Sequence, residues 1–270
     1  MFDAVGWMAA GQMGIRMGAT AAVVIGVALA VGRLGPAVGG RLAGLPIVLG
    51  PGFLFLMRQA PADFVAEAAT HAILSLAATQ LFLLTYVALA RRAPPLGALL
   101  ASMGVWTLAA LALGAWSPGP LAGAALFAAV TLLAWAAGRA FVRAAPRRGG
   151  AENPRLLLVR GLLAGLLVAV VTVLAGRLGP GTAGLLMAFP VGYTVLSVTL
   201  HERLGADLAA ATLHSAILGT VSLAGFCSTL AVAAPVWPAA GAFLAALTVS
   251  LAITAGLAVA SGRAAQGQGA

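Results

Sequence analysis

The sequence predicts an all-α fold, a polytopic transmembrane bundle of about nine helices arranged as two inverted four-helix repeats around a linker helix. Three observations carry that expectation. The composition is 62% hydrophobic and only 8% charged, with mean hydropathy +1.06, whereas a soluble domain carries about a quarter charged residues. Apolar runs reach the roughly 20 residues that a helix needs to cross a bilayer. Residues 16–115 also align with 160–259 without a gap when the chain is shifted by 144 positions.

Apolar runs bounded by Arg, Pro and Gly place candidate spans at 15–32, 37–57, 64–90, 95–116, 119–142, 156–176, 181–200, 206–231 and 238–261. Residues 1–14 read as a short interfacial segment carrying Trp7 and lacking the basic n-region of a cleavable signal peptide. Residues 15–116 form the first repeat, 119–142 the linker span, 143–155 a polar basic loop, 156–261 the second repeat and 262–270 a tail. The 35 glycines fit close helix packing in lipid. A GC-rich genome produces the same bias, since all 15 basic residues are Arg. Cys227 stands alone in an apolar run, which excludes an intrachain disulfide and a thiolate metal cluster.

The repeat rests on its rarer residues. Gly32-Arg33-Leu34-Gly35-Pro36 falls on Gly176-Arg177-Leu178-Gly179-Pro180, and in the same register Arg16 meets Arg160, Pro46 meets Pro190, Asp63 meets Asp207 and Pro94 meets Pro238. Matches of Ala and Leu count for little in such a chain. Each repeat holds four spans, so an odd linker inverts the second relative to the first, a plan common in secondary transporters. With nine crossings, 12 arginines fall on one side and only Arg16, Arg58 and Arg177 on the other. The positive-inside rule makes the crowded side cytoplasmic, with the N-terminus outside and the C-terminus inside. If spans two and seven were re-entrant, the halves would be parallel and the arginines would divide nine to six. The sharper asymmetry favours inversion.

Three features could carry chemistry. Pro46 and Pro190 interrupt the second span of each half, followed by Gly50-Pro51-Gly52 and by Val191-Gly192-Tyr193-Thr194. A proline frees carbonyls in mid-span, and those must face protein or a water-filled cavity. Matched interruptions point to a midplane binding site, while a kink satisfied by neighbouring helices explains them equally well. The next span of each half opens with acidic and imidazole groups: Asp63, Glu67 and His71 share one helical face, and Asp207 and His214 occupy the counterpart. For Asp63 and Asp207, capping of a helix start is the preferred reading. Glu67, His71 and His214 lie deeper, where ionisable groups line cavities or relay protons. Finally, Arg33 and Arg177 could guard an anion path, although snorkelling to headgroups explains their placement.

Glu67 and His71 have metal-ligand spacing, but two ligands do not make a site, so no metal or other cofactor is expected. Neither GxxxxGK[ST] nor GxSxG is present, which argues against nucleotide or hydrolase chemistry and for a non-enzyme. Ala183-Gly184-Leu185 followed by Phe189-Pro190, ahead of two Ala/Leu-rich spans, resembles the small four-helix GlpM-like inner-membrane proteins. The chain looks like two such units fused through one helix, with Leu45 in place of the Phe and Arg41 inserted in the first. The resemblance implies a bacterial inner-membrane location and no particular substrate. The expected function is a secondary carrier, proton-coupled through its His and carboxylate groups, for an unidentified small molecule or ion. The alternative is a non-catalytic scaffold or assembly subunit of an envelope pathway. The expected partners are the lipid bilayer, the solute and further copies of the chain, not nucleic acid.

Overall fold

A computed structural model of the protein describes residues 40–41, 43–46, 49–143 and 179–266, with side chains as far as 260 and without that of Phe55. The described residues form helices and no strand: α1 (Leu49–Gln59), α2 (Ala62–Leu89), α3 (Pro95–Gly114), α4 (Pro120–Gly138), α5 (Pro180–Met187), α6 (Val191–Leu204), α7 (Ala206–Ala233) and α8 (Ala239–Gln266). A 3-10 turn, Arg139–Phe141, follows α4. Six stretches are long and apolar enough to cross a membrane: Ala62–Leu89, Pro95–Gly114, Pro120–Phe141, Pro180–Leu204, Ala206–Ala233 and Ala239–Ala260.

The expected spans 15–32 and 156–176 lie outside the described residues, as do Arg33 and Arg177. The expected span 37–57 is described only in part and is interrupted, as Pro46 predicts. Residues 43–46 form a turn, and the helix that follows, α1, has 11 residues, about 16 Å and half a hydrocarbon core. Its counterpart is also broken, at Ala188–Pro190 between α5 and α6, yet the two pieces together still cover a span.

Proline sets several helix starts. It occupies the first turn of α3, α4 and α5, where its fixed φ suits the helix and its missing N–H costs nothing. The capping expected of Asp63 and Asp207 is made through the helix dipole and not through an N-cap hydrogen bond. The N-cap residues are Pro61 and Gly205, with no side-chain cap bond in either case. The two carboxylates instead sit in the first turn, facing the positive end of the helix dipole. Gly205, at φ 86° and ψ 166°, joins α6 to α7 through a conformation essentially confined to glycine.

α2 and α7 form the centre and run antiparallel. One core cluster joins residues 78–87 of α2 to residues 208–217 of α7, and the other joins residues 65–77 of α2 to residues 224–233 of α7. Their spans are 72% and 67% buried, against 22% for α3 and α8 and 28% for α4. The outer helices expose Leu108, Leu121, Leu133 and Leu244, an apolar surface of the kind a bilayer covers. α4 crosses the pair obliquely, with Gly123 against Thr70 and Leu74 of α2 and Gly138 against His214 of α7. Those two ends of α4 are about 22 Å apart at 1.5 Å per residue.

Candidate functional site

The broken segments meet at the centre. Gly184 of α5 is pressed on α2, where a Cβ would come within 2.0 Å of the Ala68 carbonyl oxygen and 2.9 Å of the His71 Cβ. Gly40 is pressed on α7, where a Cβ would come within 2.3 Å of the Thr212 carbonyl oxygen and 2.8 Å of the Ser215 Cβ. Gly44 touches the Gly219 backbone in the same way. Only glycine permits such approaches.

The carbonyls released by the breaks find partners in protein. Phe189 N–H turns to Leu186 O, and the Leu185 carbonyl accepts the Ser75 hydroxyl at 2.9 Å. In the other half the Ala43 carbonyl accepts the Tyr193 hydroxyl at 3.3 Å. Tyr193 thus joins the two breaks, and Pro46 and Pro190 are both buried. Between the breaks lies a cavity of about 80 Å³ lined by Leu45, Pro190, Leu196 and Leu223, with Thr79 and Tyr193 as its polar side chains. A polar cavity is the expectation here, and the observed one is largely apolar. Both hydroxyls are already committed, since Thr79 donates to Ser75 O at 2.9 Å.

One fully buried polar hub was not expected from the sequence. Gln80 of α2 places its amide nitrogen 2.7 Å from Thr131 Oγ1 of α4, 2.6 Å from Thr220 Oγ1 and 3.2 Å from Ile217 O of α7. It ties together the three helices that cross there, and its Oε1 has no hydrogen-bond partner. The available signal was a lone amide inside an apolar run, which is costly in lipid unless bonded. A second polar knot joins α7 to α8: Ser222 donates to Ser250 O at 2.8 Å and receives the Thr254 hydroxyl at 2.8 Å.

The ionisable candidates separate to opposite ends of the α2–α7 pair. At one end, Asp63 and Glu67 are exposed and His71 is buried. Glu67 and His71 line a pocket of about 470 Å³ between α2, α3 and α5. His71 Nδ1 lies 3.1 Å from the Glu67 carbonyl. A carbonyl only accepts, so Nδ1 carries the proton and a neutral ring keeps the Nε2 lone pair free. Nε2 faces Gly181, where a Cβ would stand 3.1 Å away. Trp106 lines the same pocket, packs edge-on against Phe189 at 4.8 Å and leaves its buried indole N–H without a partner.

At the other end Asp207 pairs with Arg91 at 3.2 Å, and Tyr86 Oη lies 3.2 Å from His201 Nδ1. His214 stacks on Trp135 and holds its carbonyl through Nε2 at 2.9 Å. Arg139 lies 3.6 Å over the Trp135 ring. His214 and Asp207 therefore tie helices together and do not join Glu67 and His71 in one cluster. Among the described residues, no three His, Cys, Asp or Glu side chains gather as a metal site. Comparison of the chain with protein-family models, with curated proteins and with solved structures finds no match in any of the three.

Proposed function

We propose that the protein is a small secondary carrier, built from two inverted repeats joined by α4, that moves a small solute across a bacterial inner membrane. The observation that carries this reading is the exchange of contacts at the breaks. Gly40 meets Thr212 and Ser215 where Gly184, 144 positions later, meets Ala68 and His71, which lie 144 positions before Thr212 and Ser215. A pseudo-twofold relation between the halves produces that pattern. The bounds of α2 and α7 differ by the same 144 at both ends, and α3 and α8 start at Pro95 and Ala239. Antiparallel packing of α2 on α7 supports inversion, because matched helices in parallel halves would point the same way. The GlpM-like kinship of each half, the cytoplasmic placement of the Arg91 end and self-association belong to the same proposal.

In this reading the breaks form the moving parts, with the Glu67–His71 pocket on one side and the Arg91–Asp207 and Tyr86–His201 ties on the other. The protein is no enzyme and its transport needs no cofactor. The scaffold alternative is favoured by one observation: the cavity between the breaks is small and apolar, and its hydroxyls are already bonded. Reconstitution separates the two. A carrier in liposomes produces solute-dependent proton flux, read by a trapped pH dye, that Tyr193→Phe and Gln80→Leu alter. Absence of flux across a broad solute panel, with stable copurification of another membrane protein, would establish the scaffold instead.

A further inference from the structure

We infer that the pocket between α2, α3 and α5 binds an amphiphilic organic amine as its cation, in competition with a proton on His71. The inference rests on the carrier reading only for the crossing step; binding itself is separate.

The argument begins with what the pocket offers. Its volume, about 470 Å³, suits a small organic molecule. Its described lining has one carboxylate, Glu67, and no Arg or Lys, which favours a cation over an anion. The His71 Nε2 lone pair is a second acceptor on the same wall, held in place because Nδ1–H is committed to the Glu67 carbonyl. Two acceptors one helical turn apart fit an ammonium group, which has donors only. Trp106 adds an aromatic ring to the same wall. Leu111, Leu185 and Leu186 form an apolar rim that suits a hydrocarbon body.

Competition with a proton follows from the same geometry. An imidazole changes charge in the neutral range, and a protonated His71 would present a donor and a positive charge to the ammonium group. The charged groups near it are Asp63 and Glu67, both on α2. Among the described residues, the elements packed on this part of α2 are α1, α3, α4, α5 and the C-terminal half of α7, and the titratable side chains they add are Arg58, at the end of α1, and the buried Cys227. Amine and proton therefore exchange for one another at this wall, and a carrier using it would run as an amine/proton antiporter.

The test uses the full chain in detergent micelles and two probes with the same body and opposite charge, 2-phenylethylamine and 3-phenylpropionate. Titration calorimetry at pH 8 should find the amine at least about tenfold tighter, and Glu67→Gln should weaken it about tenfold. Acidification to pH 5.5 should weaken the amine further, and His71→Gln should abolish that pH dependence. Glu67 is exposed, so its variant should keep the parent melting profile; a variant that does not is replaced by Glu67→Asp with the same affinity readout. Equal binding of the carboxylate, or indifference to Glu67, would overturn the pocket assignment. Amine binding without amine-driven proton flux in liposomes would overturn the carrier reading and leave the pocket. Flux of another solute without amine binding would do the reverse.

Discussion

At the start of α2, Asp63 stands exposed one turn before Glu67, at the edge of an open pocket; at the start of α7, Asp207 is tied to Arg91 at 3.2 Å. The positions that follow have diverged. Where α2 has Glu67, Thr70 and His71, α7 has Ala211, His214 and Ser215. His71 faces a cavity, while His214 is spent on the Trp135 carbonyl. One end opens on a pocket, and the other is held by an ion pair and a tyrosine–histidine contact. A pair of helices with common bounds can therefore serve opposite tasks, because the backbone scaffold constrains only the small residues at the crossings.

Four substitutions break or sharpen that contrast. The largest effect is expected for Gly184→Ala, whose Cβ would stand 2.0 Å from a backbone oxygen of α2 that cannot move aside. We expect a loss of about 3 kcal/mol in detergent unfolding, while Gly192→Ala, with nothing within 4 Å, should change little. Equal effects would mean that the α5–α2 seam is not tightly packed. Next comes Gly205→Ala at the closed end, which places a Cβ on a backbone at φ 86° and should cost about 1–3 kcal/mol. If its melting point equals the parent's, the α6–α7 joint is not held in that conformation.

A smaller change is expected at mid-depth. Gln80→Leu removes the bonds to Thr131 and Thr220 and should destabilise by about 1 kcal/mol, the scale of polar bonds between membrane helices. Increased stability would mean that the unpartnered Oε1 costs more than the three contacts contribute. The smallest difference compares Asp207→Asn with Asp63→Asn. Loss of the partly exposed ion pair should cost about 0.5 kcal/mol at low salt and fade in high salt. Asp63→Asn gives up only the helix-dipole interaction that both carboxylates share, so its loss and its salt dependence should be smaller than those of Asp207→Asn. Matching responses would erase the asymmetry at this pair.

Much of the helix layout was legible from the chain, for an identifiable reason. Pro95, Pro120 and Pro180 mark helix starts because proline suits only the first turn, and the expected runs 95–116, 119–142 and 206–231 end within a few residues of α3, α4 with its turn, and α7. The break in the span expected at 37–57 was legible in Pro46, and the turn at residues 43–46 lies there. The site was less legible. Glu67 and His71 stood out as ionisable groups in an apolar run, but Trp106 did not, since its significance lies in an unpaired N–H that only packing reveals. Asp207 read as a cap because Arg91, its partner, is 116 positions away along the chain. Gln80 leaves one signal, a lone amide in an apolar run, while its partners Thr131 and Thr220 lie 51 and 140 positions away along the chain.

α4 is clasped at Gly123 by α2 and at Gly138 by α7, and near its middle Thr131 is bonded to Gln80. A rod gripped at both tips by different bodies and pinned at its midpoint behaves as an axle. Sliding α2 along α7 would pull one grip off its glycine, whereas tilting about the pin preserves both. A relative movement of the two central helices that keeps all three contacts is a tilt about Gln80. Widening the gap at one end narrows it at the other.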